Sequence, residues 1–183
     1  ETTYGHLAPS FEGSSQLGLV TIQTDEGIEG NAFLGSSMFS AELDALSIVR
    51  HLKPAIIGED PLARELMYQR LVNRHRQTTL RAIGAIDVAL WDLAGKIAGL
   101  PIHQLIGSYR DHVPAYASSQ VLDSPDDYAE QAQQYKEDGW AAYKIHPPTK
   151  SAEGDIAVCR AVRAAVGDDY RIMLDSTWAY DFP

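Results

Sequence analysis

Two basic side chains, Lys144 and His146, stand two residues apart in the run Ala-Ala-Tyr-Lys-Ile-His, which spans 141–146. The run is apolar and β-prone, and the period-two alternation of a strand puts Lys144 and His146 on one face, with Tyr143 and Ile145 on the other. Further on, Arg-Ile-Met-Leu-Asp spans 171–175, ends in Asp175 and is followed by Ser176, Thr177 and Trp178. A Lys, a His and an Asp at the ends of neighbouring strands suit general-base chemistry beside a cation site. Burying two cations on one strand face without an anion is costly. The pattern therefore asks for an anionic partner: Asp175, a bound carboxylate, or both. The plain alternative is a pair of solvated or hydrogen-bonded surface groups at a strand end.

The other reactive side chains carry less. His51, His75 and His103 fall on helices or helix ends and read as structural or surface residues. His6 lies in the loop from Tyr4 to Ser15, rich in Gly, Pro and Ser, which could act as a lid. Cys159 lies on a helix with no base or cation at a suitable spacing, and reads as a small packed residue. The sequence has no Gly-rich phosphate loop and no Gly-x-Ser-x-Gly elbow.

The elements that must position these groups follow from periodicity. Residues 113–118, 141–146 and 171–175 read as strands. Helices over 125–138, opened by Ser124-Pro125, and 153–166, closed by Gly167, alternate with them. This β-α-β-α-β order has crossovers long enough for parallel strands, and functional groups of such units gather at the C-terminal strand ends. Upstream, residues 17–24 and 28–34 alternate around the turn Asp25-Glu26-Gly27 and predict a hairpin. Ser40 reads as the N-cap of a helix whose apolar side is Leu43, Leu46, Ile48, Val49 and Leu52. Asp60-Pro61 reads as cap and first residue of a second helix, reaching about Arg76. A third is capped by Thr78 or Thr79, carries Ile83, Ile86, Leu90, Leu93 and Ile97 at helical spacing, and ends at Gly99 before Pro101. Asp92 and Lys96 on it form a favourable i,i+4 pair. A boundary near 108–112 separates an α+β domain, 1–110, from the start of an α/β domain, 111–183.

Composition narrows the class. The chain has 183 residues, 45% of them hydrophobic and 22% charged, with 14 Gly and 9 Pro, as expected of a globular protein able to bury a core. Lys and Arg number 15 against 25 Asp and Glu, a net charge of −10, which argues against nucleic acid or anionic lipid as a partner. No apolar run approaches the roughly 20 residues of a membrane span. The polar start, Glu1 to Ser10, does not read as a signal peptide. A single cysteine fits a reducing compartment, so a cytoplasmic location is expected.

The stretch from Ala82 to Gly107 contains Ala-Ile-Gly-Ala-Ile-Asp-Val-Ala-Leu-Trp-Asp-Leu-Ala-Gly-Lys and Gly-Leu-Pro-Ile-His-Gln-Leu-Ile-Gly. It closely resembles a signature of the mandelate racemase/muconate lactonizing enzyme branch of the enolase superfamily. The resemblance extends over nearly the whole chain. It implies an α/β fold: an α+β enolase-type capping domain, then the first three β/α units of a TIM-like barrel. Against the family, the first capping strand is missing before Glu1 and the later barrel strands are missing after Pro183, so the barrel is expected to be incomplete in this chain. Lys144 matches the first lysine of the family's Lys-x-Lys strand, and His146 stands where the second, often the base, would be. Asp175 matches the family's first Mg²⁺ ligand. The family's other metal ligands and its opposite-face His–Asp pair come from later strands.

The resemblance thus implies Mg²⁺-assisted removal of the α-proton of a hydroxy-carboxylate, with dehydration of a sugar acid as the leading reaction. A racemase, epimerase or cycloisomerase is the alternative. His146 is expected as acid/base and Lys144 as its electrostatic partner on the substrate carboxylate. Alternatively, His146 only hydrogen-bonds substrate and the base comes from the other half. His6 and Phe11, in the 4–15 loop, are expected to cover the site and sort substrates. Family members commonly form oligomers, so a homo-oligomer is expected. A non-catalytic half-barrel that needs a partner chain is the rival reading. A small flavodoxin-like domain would leave the 82–107 signature unexplained.

Overall fold

The computed structural model describes residues 16–35, 40–148, 151–176 and 180. They form two compact units that divide between Asp111 and His112. His6 and Phe11 lie outside the described residues.

The first unit opens with the expected hairpin. Strands β1 (Gly18–Gln23) and β2 (Glu29–Leu34) pair antiparallel in the register Gly18↔Leu34 to Gln23↔Glu29. Its turn is closed by Thr24, whose side-chain oxygen accepts from the Ile28 N–H at 3.0 Å, and by Gly27 at φ +81°. Ala32 and Leu34, with Val20 and Ile22, pack in one apolar cluster with Ala85 and Ala89 of the long helix that follows. This helix, here α3 (Leu80–Ala98), buries Ala82, Ile83, Ile86, Leu90 and Leu93 along one stripe. Small residues bring hairpin and helix close: a Cβ on Gly30 would collide with the Ala89 carbonyl oxygen and lie 2.8 Å from the Leu93 Cβ. The approach is tied by polar groups as well. Asp92 accepts from the Asn31 N–H at 2.8 Å and pairs with Lys96 at 2.7 Å, while Lys96 donates to the Glu29 carbonyl. The expected i,i+4 pair therefore also joins helix to hairpin, and the Lys96 hydrogen bond holds the Asp92 carboxyl below its usual range.

Thr79 caps α3 as expected, accepting from the Ala82 N–H at 3.1 Å, and Gly99 ends it at φ +65°. Ile97 is 37% exposed, so the buried stripe stops short of it. Helix α1 (Ala41–Ser47) is capped by Ser40. The expected apolar side holds just beyond it, where Leu52 is fully buried and Ile48 packs on the same core, but Leu43, Leu46 and Val49 are exposed, and the buried positions of α1 itself are Ala41 and Asp44. Asp44 is held by the Thr79 hydroxyl at 2.6 Å and Arg81 Nε at 2.9 Å, so burial of its charge is compensated. Beyond Ser47 the chain widens into a π-type turn over Ile48–Leu52 and tightens into a 3₁₀ turn over Lys53–Ala55.

Helix α2 (Arg64–Val72) begins later and ends earlier than Asp60-Pro61 and Arg76 suggest. Asp60 accepts from the Leu62 N–H and forms a turn of its own, which takes up the residues read as the helix start. Arg64 lays its guanidinium 3.4 Å from the centre of the Trp91 ring of α3. Its Nε and Nη1 are buried with no hydrogen-bond partner among the described residues. A short helix, α4 (Ile102–Leu105), follows Pro101.

The second unit is a parallel sheet of order β3 (Ala117–Ser118), β4 (Ala142–Ile145), β5 (Arg171–Leu174), with helices α5 (Pro125–Glu137) and α6 (Ala152–Val166) in the crossovers. Both helices start on side-chain caps. Ser124 and Asp127 form a reciprocal capping box, and Ser151 accepts from the Gly154 N–H at 3.1 Å. Strand β3 is shorter than the expected 113–118, because 113–116 is exposed and Pro114 has no N–H for a ladder. Tyr143 and Ile145 of β4 are fully buried with Tyr128, Ala132, Val158, Val162 and Val166. This apolar packing turns Tyr143 and Ile145 toward the helices and leaves Lys144 on the opposite face.

Candidate functional site

The site is built on the second unit. In the ladder, Lys144 stands between Ser118 of β3 and Met173 of β5. Its side chain is 21% exposed, and its ammonium lies 3.2 Å from Asp175 Oδ2 and 5.5 Å from the centre of the Tyr116 ring. Asp175 is one residue beyond β5, not within it as expected. The adjoining sheet still holds its backbone, since its N–H donates to the Ile145 carbonyl at 2.9 Å. The Lys144–Asp175 pair is partly open to solvent, with 43% of the Asp175 side chain exposed. Ion pairs this accessible contribute about 1 kcal/mol or less to folding. Lys144 can therefore exchange its carboxylate partner for another anion at small cost.

His146 is one residue past the end of β4, partly buried, and followed by a buried Pro147. Its backbone is held on both sides. Its N–H donates to Ser119 Oγ at 2.8 Å, and its carbonyl accepts from the Tyr128 hydroxyl at 2.8 Å. The Tyr128 hydroxyl in turn accepts from the Leu122 N–H at 2.9 Å, and burial pushes its pKa above the usual tyrosine value, so it stays a neutral donor.

The structure thus brings Lys144 and Asp175 together and places His146 at the adjoining strand end. Tyr116, Ser119 and Tyr128 were not singled out from the sequence. For Tyr116 a signal existed: it has the same parity as Ser118, the ladder partner of Lys144. The hydroxyls of Ser119 and Tyr128 gave none.

Mg²⁺ takes six oxygen ligands at close to octahedral geometry. Asp175 is a hard oxygen donor of the right kind, accessible at a strand end and fixed by its backbone. Among the described residues no group of three His, Cys, Asp or Glu side chains could hold a metal ion. Asp175 therefore fits as one ligand, and the rest of such a coordination shell would have to come from other residues. No helix of the described residues is long and apolar enough to cross a membrane.

With fold and site in view, the protein class follows from comparison. Residues 6–107 match the mandelate racemase / muconate lactonizing enzyme N-terminal domain, and residues 127–183 match the enolase C-terminal domain-like family. The chain belongs to the mandelate racemase/muconate lactonizing enzyme family of the enolase superfamily. It is 33% identical to D-galactarolactone cycloisomerase of Agrobacterium fabrum, over 88% of this chain and 44% of that protein. To L-talarate/galactarate dehydratase of Salmonella typhimurium it is 31% identical, over 89% of this chain and 42% of the relative. Among solved structures, a dipeptide epimerase from Enterococcus faecalis, complexed with Mg and L-Leu-L-Tyr, matches with a TM-score of 0.78 at 30% identity. That match covers 90% of this chain and 46% of the epimerase. The chain spans about half the length of the curated relatives it matches. Its relatives are enzymes and include sugar-acid dehydratases, epimerases, racemases and cycloisomerases.

Proposed function

We propose that this chain provides the cap and the first active-site strands of a Mg²⁺-dependent enzyme that removes the α-proton of a hydroxy-carboxylate, with dehydration of a sugar acid as the overall reaction. The observation that carries this reading is the joint placement at the β4 and β5 ends: Lys144 and Asp175 paired at 3.2 Å, with His146 one residue beyond the strand.

An α-proton beside a carboxylate is weakly acidic, so its removal requires the developing charge to be stabilised where it forms. Lys144 binds one oxygen of the substrate carboxylate and orients the α-carbon, giving up Asp175 as its partner. Mg²⁺, held in part by Asp175, would act as a Lewis acid on the carboxylate as the proton leaves. His146 accepts that proton; a histidine serves this role near neutral pH. In a dehydration, an acid then assists loss of the β-hydroxyl. Racemisation, epimerisation and cycloisomerisation begin with the same proton removal, so the relatives that catalyse them diverge after the step assigned here to His146.

Incubation of the complete enzyme that contains this chain with MgCl₂ and galactarate, arabinonate, xylonate or mannonate in D₂O, read by ¹H NMR, tests the reading. His146→Ala is expected to slow loss of the α-proton signal by at least about 10²-fold, the usual contribution of a general base. An unchanged exchange rate would remove His146 from the chemistry.

A further inference from the structure

We propose that Ser119 and Tyr128 are positioning residues for His146: their hydroxyls fix the peptides on either side of its Cα and so aim the imidazole at the substrate. The proposal rests on the assignment of His146 as acid/base. Strand β4 ends at Ile145, and Pro147 and Pro148 have no N–H to extend a ladder. His146 therefore stands where the sheet no longer holds the chain. Side chains take over from the ladder there. The peptide before His146 is held at both of its polar atoms, the N–H by Ser119 Oγ and the Ile145 carbonyl by the Asp175 N–H. The peptide after it is held at the His146 carbonyl by Tyr128, whose hydroxyl is itself fixed by the Leu122 N–H. Ser119 is 5% exposed and Tyr128 fully buried, so water does not readily replace either hydroxyl. With both peptide planes set, the direction of the His146 Cα–Cβ bond is set. Misplacing a reacting group by about 1 Å can cost about 10² in rate, so such a clamp has catalytic consequence without touching substrate.

Amide hydrogen exchange of the full chain, followed by NMR, reads the clamp without substrate. Ser119→Ala is expected to speed exchange of the His146 N–H at least tenfold while the other β4 amides keep their protection, and Ser119→Thr is expected to restore it. Tyr128→Phe keeps the ring in the core and removes only the hydroxyl. With whichever of the four sugar acids the wild type exchanges fastest, Ser119→Ala and Tyr128→Phe are each expected to lower kcat for α-proton exchange 10- to 100-fold with KM within twofold. Unchanged His146 protection in Ser119→Ala overturns the clamp. Lost protection with unchanged kcat, while His146→Ala abolishes exchange, overturns the positioning role and leaves the acid/base assignment standing. Full activity in His146→Ala overturns both.

Discussion

Tyr143 and Lys144 are neighbours in the chain and sit in opposite surroundings. Tyr143 is fully buried among the helices, where its hydroxyl donates to Gln131 Oε1 at 2.8 Å, and burial pushes its pKa up to about 12. An unfolded tyrosine titrates near 10, so the folded state binds this proton more tightly. The corresponding stability is fully present below about pH 10 and is lost as pH rises through about 12. Tyr143→Phe removes the titration. In urea unfolding at pH 8 and pH 11, its loss of stability between the two is expected to be smaller than that of the wild type by about 1 kcal/mol. Equal losses would show that the buried hydroxyl does not shift as described. Lys144, by contrast, was legible as a site candidate from alternation alone, because its face is set by the burial of Tyr143 and Ile145 on either side. The support of His146 was not legible. Ser119 and Tyr128 reach it across 27 and 18 residues, and neither residue type announces where its hydroxyl ends.

At the scale of elements, Gly30 is the tightest joint in the first unit. Its close approach to the α3 backbone leaves no room for a methyl group, and the neighbouring atoms are carbonyl oxygen, amide nitrogen and Cβ, not flexible side-chain ends. Gly30→Ala is expected to cost about 3 kcal/mol or more in thermal unfolding, whereas alanine at Gly84, inside α3 with nothing within 4 Å, is expected to stabilise by up to about 1 kcal/mol. Comparable effects at the two glycines would show that the hairpin can shift away from the helix. The hairpin and α3 were readable because their signals are local: alternation, a turn, a threonine cap and a terminal glycine. Helix α1 was misread because its buried face carries Asp44, whose partners Thr79 and Arg81 lie 35 and 37 residues away. An acid compensated at that distance looks like a solvent residue in the sequence, and the leucines beside it look like core.

For the whole molecule, the division between Asp111 and His112 falls in a run, 108–116, in which every residue is exposed. We propose domains of 1–110 and 111–183 on that basis. Limited chymotrypsin digestion should cut first, among bonds within 16–176, after Tyr109, which is 88% exposed. Mass spectrometry of the early products checks this, and a first cut inside α3 or α5 would place the boundary elsewhere. The two units also differ optically. Trp91 of the first has a guanidinium laid across one face of its ring, whereas Trp140 of the second is 41% exposed and meets Tyr135 edge-on at 6.4 Å. Iodide should quench the emission of Trp140 far more readily than that of Trp91. The first half has a single tryptophan, Trp91, and the second has Trp140 and Trp178, so Trp178→Phe leaves one intrinsic fluorophore in each half with which to follow the two through unfolding without a label.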